Sequence, residues 1–174
     1  MRVGWLDETA LALMGRDTLK WSPKETGGPL FGYVNFGEIV ITRAFLPGPK
    51  AWHFPWLYRP DRTAVQMALE EVYEESDGRE RWVGSWHSHP LGRALPSVVD
   101  RRTAARISAE EKVRCPEPVM LIHTTRLARE GQRASRLGAF QWSSDQQRLE
   151  PLRLRPYSEA TLHREGLTLA DEHA

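Results

Sequence analysis

Cysteine is almost missing from the 174 residues: Cys115 stands alone, so no internal disulfide can form. That usage fits a reducing cytoplasm. Long apolar runs are missing too. No window approaches the eighteen consecutive apolar residues that a membrane-spanning helix needs. Residues 1–15 carry Asp7 and Glu8 and lack the sustained apolar run of a secretory signal. A charge excess of either sign is also lacking. The 24 Lys and Arg against 23 Asp and Glu leave a net +1, so no strong field argues for a nucleic-acid or membrane partner. Internal repeats and low-complexity blocks do not occur. The length suggests one domain, long enough to bury a core.

What is present is a mixture of helical and extended patterns. A short helix is expected over residues 6–14, with Gly15 as its stop. Residues 29–34 and 38–45 read as two strands around Asn35-Phe36-Gly37, a plausible hairpin. Four prolines between positions 46 and 60 deny that stretch a ladder, so it reads as a loop. Asp61 can cap a helix to about Ser76, whose apolar face is Val65, Leu69, Val72 and Tyr73. Residues 81–89 form the next strand. Ser97 starts a helix to about Lys112, residues 119–124 and 137–142 are β-rich, and 126–136 read as a polar, basic turn. This order predicts an α/β fold with a mixed central sheet and helices packed on it. Beyond about Pro151 the chain turns polar, which divides it into a domain over 1–150 and a C-terminal extension over 151–174.

The stretch from Trp86 to Asp100 carries the chemistry. On a strand, residues two apart point to the same side, so His87 and His89 aim both imidazoles at one point. Two histidines and one carboxylate leave a tetrahedral position open, the mark of a catalytic rather than a structural zinc site. Spacing alone leaves a second reading open, in which these are ordinary half-buried histidines. Asp100 is either a first-turn carboxylate favoured by the helix dipole or the third ligand, and the two are compatible. Ser97 is either the helix N-cap or a donor to an oxyanion. A hydrolase of this kind needs a general base. With 23 acidic residues, spacing cannot select one. Glu25, just ahead of Gly27-Gly28 and a strand, is the best local candidate, since glycines allow close backbone approach.

Taken together, Glu25-Thr26-Gly27-Gly28 with Leu30 and Gly32, Val83-Gly84-Ser85-Trp86, His87-Ser88-His89-Pro90, and Ser97-Val98-Val99-Asp100 after a seven-residue gap resemble the JAMM (JAB or MPN) metallopeptidases. The likeness spans about residues 20–125. It implies a cytidine-deaminase-like α/β fold, a mixed central β-sheet flanked by helices, with one catalytic Zn2+. It implies cleavage of peptide or isopeptide bonds after the C-terminal tail of a ubiquitin-like protein. By the same likeness His87, His89 and Asp100 bind zinc, Glu25 is the base that later protonates the leaving amine, and Ser97 helps stabilise the oxyanion. Arg59-Pro60-Asp61, Tyr73-Glu74-Glu75-Ser76 with Gly78, and Trp86 to Pro90 further resemble bacterial stand-alone members tied to ubiquitin-like conjugation and antiphage systems. That implies as partners a ubiquitin-like protein or its conjugate and conjugation enzymes of the same pathway.

Three other functions stay open at this level. They are a peptidase trimming a sulfur-carrier or ubiquitin-like precursor, a non-catalytic interaction scaffold, and the DNA-repair-associated branch of the family. Intact ligand positions weigh against the scaffold, and the near-zero net charge against the DNA-repair branch. Trp52-His53-Phe54-Pro55-Trp56 either lines a groove or is pinned on the core by its rings, and His53 reads as structural. Arg126, Arg129, Arg133 and Arg136 read as a solvated turn. Cys115 and His123 form no supported catalytic pair.

Overall fold

The computed structural model describes residues 2–127, 133–158 and 160–161. The elements, in chain order, are β1 (Arg2–Asp7), α1 (Glu8–Trp21), β2 (Gly27–Asn35), β3 (Glu38–Ala44), β4 (Trp52–Phe54), β5 (Leu57–Arg59), α2 (Arg62–Glu75), β6 (Arg81–Ser88), α3 (Val98–Ala109), β7 (Val119–Leu127), β8 (Arg133–Ser143) and β9 (Arg148–Tyr157). Seven of these strands form a closed barrel in the order β1-β3-β2-β6-β7-β8-β9.

The closed barrel corrects the expected cytidine-deaminase-like open mixed sheet flanked by helices. Strand β1 pairs in parallel with β3 on one side and with β9 on the other, from Arg2↔Leu152 to Asp7↔Tyr157. Every strand of the barrel therefore has a neighbour on each side. The closing strand lies where composition suggested an extension. Its arginines and glutamate make residues 148–157 look polar, and Pro151 and Pro156 argue against a strand inside a sheet. A buried set lies underneath, however, at spacings of three and five that break strict alternation: Leu149, Leu152 and Tyr157 are buried while Arg148, Arg153 and Arg155 are not. A short N-terminal strand and a proline-bearing last strand are what turn a sheet into a barrel here.

Helix α1 starts at Asp7, whose carboxylate accepts from the Thr9 and Ala10 amides. It runs through Gly15 to Trp21 rather than stopping, because packing outweighs the helix cost of one glycine. Ala10 and Met14 enter the main core with Leu30, Ile41, Trp86 and Leu121. Helix α2, capped by Asp61, sets Ala68 and Val72 against Phe31. Helix α3 sets Ala104 among Met120, Ile122, Trp142 and Leu149. Within the expected loop at 46–60 the chain makes a two-stranded hairpin, pairing Trp52↔Arg59 to Phe54↔Leu57 around Pro55-Trp56. Of the basic turn expected at 126–136, residues 126–127 and 133–136 belong to the ends of β7 and β8, and 128–132 lie outside the described residues. No described helix is long and apolar enough to cross a membrane.

Leu152 is buried on the closing strand, so Leu152→Ala is expected to lower the unfolding free energy by about 2–4 kcal/mol, read from urea midpoints. A chain ended after Glu150 loses every β1–β9 pair and leaves β1 with an open edge, and is expected to lose cooperative unfolding. An unchanged transition in both would refute the closure.

Candidate metal centre

Strand β6 runs between β2 and β7 and delivers the histidine pair at its end. Trp86 and Ser88 turn into the core, both fully buried, and the alternate positions 87 and 89 turn to a cleft. His89 lies one residue beyond the strand. Its amide donates to the His123 carbonyl on β7 at 2.9 Å, and its carbonyl accepts from Gly92 at 3.0 Å. The loop from Pro90 to Pro96 then returns the chain to the site at the start of α3. There Ser97 Oγ accepts from the Asp100 amide at 3.2 Å, and the Ser97 amide donates to Asp100 Oδ2 at 2.7 Å. This reciprocal capping box fixes the Asp100 carboxylate through one of its oxygens.

The three side chains meet. His87 Nε2 lies 3.0 Å from His89 Nε2 and 3.3 Å from Asp100 Oδ1, and His89 Nε2 lies 3.6 Å from Asp100 Oδ2. Among the described residues they form a group able to hold a metal ion, with one atom from each within 4.8 Å of the others. The donor set suits zinc. Two atoms bound to one tetrahedral zinc at its usual bond lengths stand roughly 3.3 Å apart, close to the spacing found. The tautomer suits it too. His89 Nδ1 lies 3.2 Å from the Arg93 carbonyl, which can only accept, so Nδ1 carries the proton and Nε2 presents its lone pair inward. Burial and then the neighbouring His87 lower the His89 pKa, which favours the neutral ligand form. Burial alone would raise Asp100. The His87 hydrogen bond and charge, with the two Ser97 bonds, outweigh it and hold this carboxyl well below its usual range.

Glu25 sits at the rim of the same group, its Oε1 3.9 Å from His89 Nε2 and its side chain 14% exposed. The residue is held through its backbone. Its amide donates to the Phe54 carbonyl at 2.7 Å, and its carbonyl accepts from His53 Nδ1 at 2.9 Å. The His53 ring stacks on Trp21 with centroids 3.5 Å apart. Burial raises the Glu25 carboxyl to about 7, with His87 lowering it and Asp100 raising it. A carboxyl so placed exchanges protons near neutral pH. Gly27 and Gly28 follow because no side chain fits: a Cβ on Gly28 would stand 1.9 Å from the Phe45 carbonyl oxygen.

The cleft around these groups encloses about 850 Å³. Its walls are mostly apolar and include Trp56, Leu57 and Tyr58 of the hairpin, Leu91, and Val99 and Ile107 of α3. Every residue expected at the site therefore reaches it: Glu25, His87, His89, Ser97 and Asp100 all line this cleft. His53 is pinned by its ring as expected, while Trp56 of the same loop faces the cleft, so both roles fall to one hairpin. Cys115 and His123 do not pair. Cys115 Sγ lies 3.8 Å from the Val83 carbonyl, and His123 Nε2 meets Ser135 Oγ at 2.7 Å. Sequence reasoning missed the grip of His53 and Phe54 on Glu25. It also missed the buried bonds of Thr26 and Ser88, whose only signal is that they adjoin named site residues.

A carboxylate beside a His-His-Asp group able to hold a metal, in a largely apolar cleft, is consistent with a site of the metal-dependent hydrolase type. The chain belongs to the prokaryotic homologs of the JAB domain, whose family model matches residues 7–138. It is 32% identical to "Probable metalloprotease y4qB" of Sinorhizobium fredii over 120 residues, 68% of this chain and 73% of that protein. It is also 30% identical over 121 residues to the "CD-NTase/cGAS isopeptidase" of Enterobacter hormaechei, and 28% over 98 residues to the protein so named in Pseudomonas aeruginosa. Those two matches cover 67% and 56% of this chain, and 64% and 62% of the relatives. Among solved structures, the solution structure of protein DSY2949 from Desulfitobacterium hafniense superposes with a TM-score of 0.63 at 17% identity, over 90% of this chain and 94% of that one. At that identity the likeness concerns the fold.

The electrostatics can be checked without a substrate. With chelator present, the folded state keeps the Glu25 proton up to about 7, whereas an exposed glutamate loses it near 4.5. Between those values the folded state binds the extra proton, so stability falls as pH rises. Glu25→Gln cannot ionise. It is expected to exceed wild type by about 1 kcal/mol at pH 8, allowing for solvent screening, with the advantage shrinking towards pH 4.5. Thermal unfolding at several pH values reads this, and a pH-independent difference would refute the desolvated carboxylate.

Proposed function

We propose that this chain is a zinc-dependent isopeptidase that cuts after the C-terminal tail of a ubiquitin-like protein. In this reading it detaches that protein from a target in a bacterial ubiquitin-like pathway of antiphage defence. The observation that carries the proposal is the convergence of His87, His89 and Asp100, with the Glu25 carboxylate 3.9 Å from His89. The relatives named as a metalloprotease and as CD-NTase/cGAS isopeptidases support the reaction class and the pathway.

In this reading His87 and His89 hold the ion through Nε2 and Asp100 through its carboxylate. Zinc held by these residues would supply Lewis acidity, which would polarise a scissile carbonyl and ease loss of a proton from an attacking water. Glu25 takes that proton and passes it to the departing lysine amine as the C–N bond breaks, so a free carboxylate and a free amine result. Ser97 accepts from the Asp100 amide, which leaves its own hydroxyl proton free to donate to the developing oxyanion. The apolar cleft receives the extended tail, and Trp56, Leu57 and Tyr58 shield the reacting bond from bulk water.

The test is hydrolysis of a peptide ending in Gly-Gly joined to the Nε of a lysine, beside the same tail extended linearly. Zinc-loaded protein is expected to cut the branched peptide and to lose activity with chelator. Glu25→Gln is expected to cut about 100- to 10,000-fold more slowly, and Ser97→Ala about 100-fold more slowly, each with zinc retained. Cutting of the linear peptide alone would replace this reading with precursor trimming. Zinc stoichiometry near zero in freshly purified protein would leave a non-catalytic scaffold.

A further inference from the structure

Thr26 and Ser88 are fully buried and Asp17 nearly so, and the reaction proposed above uses none of them. Residues 26 and 88 face each other one step beyond Gly27↔His87, the end pair of the β2–β6 ladder. The Ser88 amide donates to the Thr26 carbonyl at 2.8 Å. In a regular antiparallel pair the second bond would return from the Thr26 amide to the Ser88 carbonyl. Here the Thr26 amide donates to Ser88 Oγ instead, at 2.9 Å. The hydroxyl stands in for a backbone acceptor at the point where the chain leaves the ladder to present His89. Thr26 passes the linkage on, its own hydroxyl donating to Asp17 Oδ2 on α1 at 2.6 Å. Three buried hydrogen bonds thus tie α1, the residue after Glu25, and the residue between the two histidines.

We infer that Ser88 is a positioning residue for Glu25. Its hydroxyl holds the Thr26 amide, Thr26 is anchored in turn by Asp17, and the Glu25 carboxylate is thereby kept at a fixed distance from the histidine pair. The geometry stands by itself, whereas the consequence for turnover rests on the isopeptidase reading. The serine side chain is required because an alanine keeps the Thr26 carbonyl bond but leaves the buried Thr26 amide without its acceptor. A hydroxyl that only satisfied a buried donor would cost stability and leave turnover per folded molecule unchanged. A positioning hydroxyl lowers kcat and leaves KM and metal binding alone.

The experiment compares wild type, Ser88→Ala and Ser88→Thr as zinc-loaded full chains, using the Gly-Gly-lysine isopeptide. Ser88→Ala is expected to lower kcat by about 10- to 100-fold, with KM and zinc stoichiometry unchanged. Ser88→Thr, which keeps the hydroxyl, restores most of the loss. Amide hydrogen exchange at Thr26 is expected to speed up in Ser88→Ala and not in Ser88→Thr. Wild-type kcat in Ser88→Ala, an equal loss in Ser88→Thr, or unaltered exchange at Thr26 overturns the inference. If Ser88→Ala does not fold, Thr26→Val, which cuts the bond to Asp17 and keeps the backbone pair, carries the same comparison. If the wild type cuts none of the peptides, the isopeptidase reading fails by itself, and exchange at Thr26 still decides the clamp.

Discussion

Two imidazoles and two carboxylates share a space in which His87 and His89 approach each other to 3.0 Å and Asp100 stands within 3.6 Å of both. Glu25 borders the same group at 3.9 Å and is nearly buried. Groups so close cannot all take their ordinary charge states. Protonating both histidines sets two cations against each other, and ionising both carboxylates without a cation sets two anions in a poorly solvated place. The pKa directions record the conflict, with Asp100 kept ionised, Glu25 pushed towards neutrality and His89 held neutral. A divalent cation is the simplest charge that reconciles them, because it lets both imidazoles act as neutral donors and satisfies Asp100. The three side chains therefore form a group able to hold a metal ion.

That arrangement needs a frame that does not yield. The histidines come from the end of β6 and the residue just beyond it, and the neighbours β2 and β7 are themselves locked in a closed barrel. Asp100 comes from the first turn of α3, where Ser97 fixes it on both sides. Glu25 comes from the residues ahead of β2. Three separate segments meet within a few ångströms, and none is a free loop at the point where it contributes. Barrel closure by β9 matters at a distance, since it joins β1 to β8 and so completes the ring that holds β6 and β7.

The sequence was most legible where chemistry and local geometry coincide. His87 and His89 share a side because strands alternate, and Asp100 falls at the third position of a helix that Ser97 can cap. Both inferences need only local rules, and both sets of residues arrive in one cleft. The closed topology was less legible. Pairing of β1 with β9 joins residues 150 apart, and no local pattern reports such a partner; the polar surface of β9 and its prolines hid the buried Leu149, Leu152 and Tyr157. Helix α1 outran Gly15 for the same reason, because its apolar face is paid for by the barrel interior. The hairpin at 52–59 was masked by its flanking prolines.

The hairpin also shows why the site cannot be divided into catalytic and structural parts. Its Phe54 carbonyl and His53 ring hold the two backbone groups of Glu25, while its Trp56, 78% exposed, lines the cleft a few residues away. From the opposite side, Ser88 and Asp17 hold Thr26. The carboxylate at position 25 is thus suspended between a hairpin that meets solvent and a core that does not. A change confined to the core alters where the carboxylate points, whereas a change in the hairpin alters that and the cleft wall together. Substitutions in the two places therefore differ in kind: the first acts on the placement of the carboxylate, and the second acts on that placement and on the surface offered to whatever occupies the cleft.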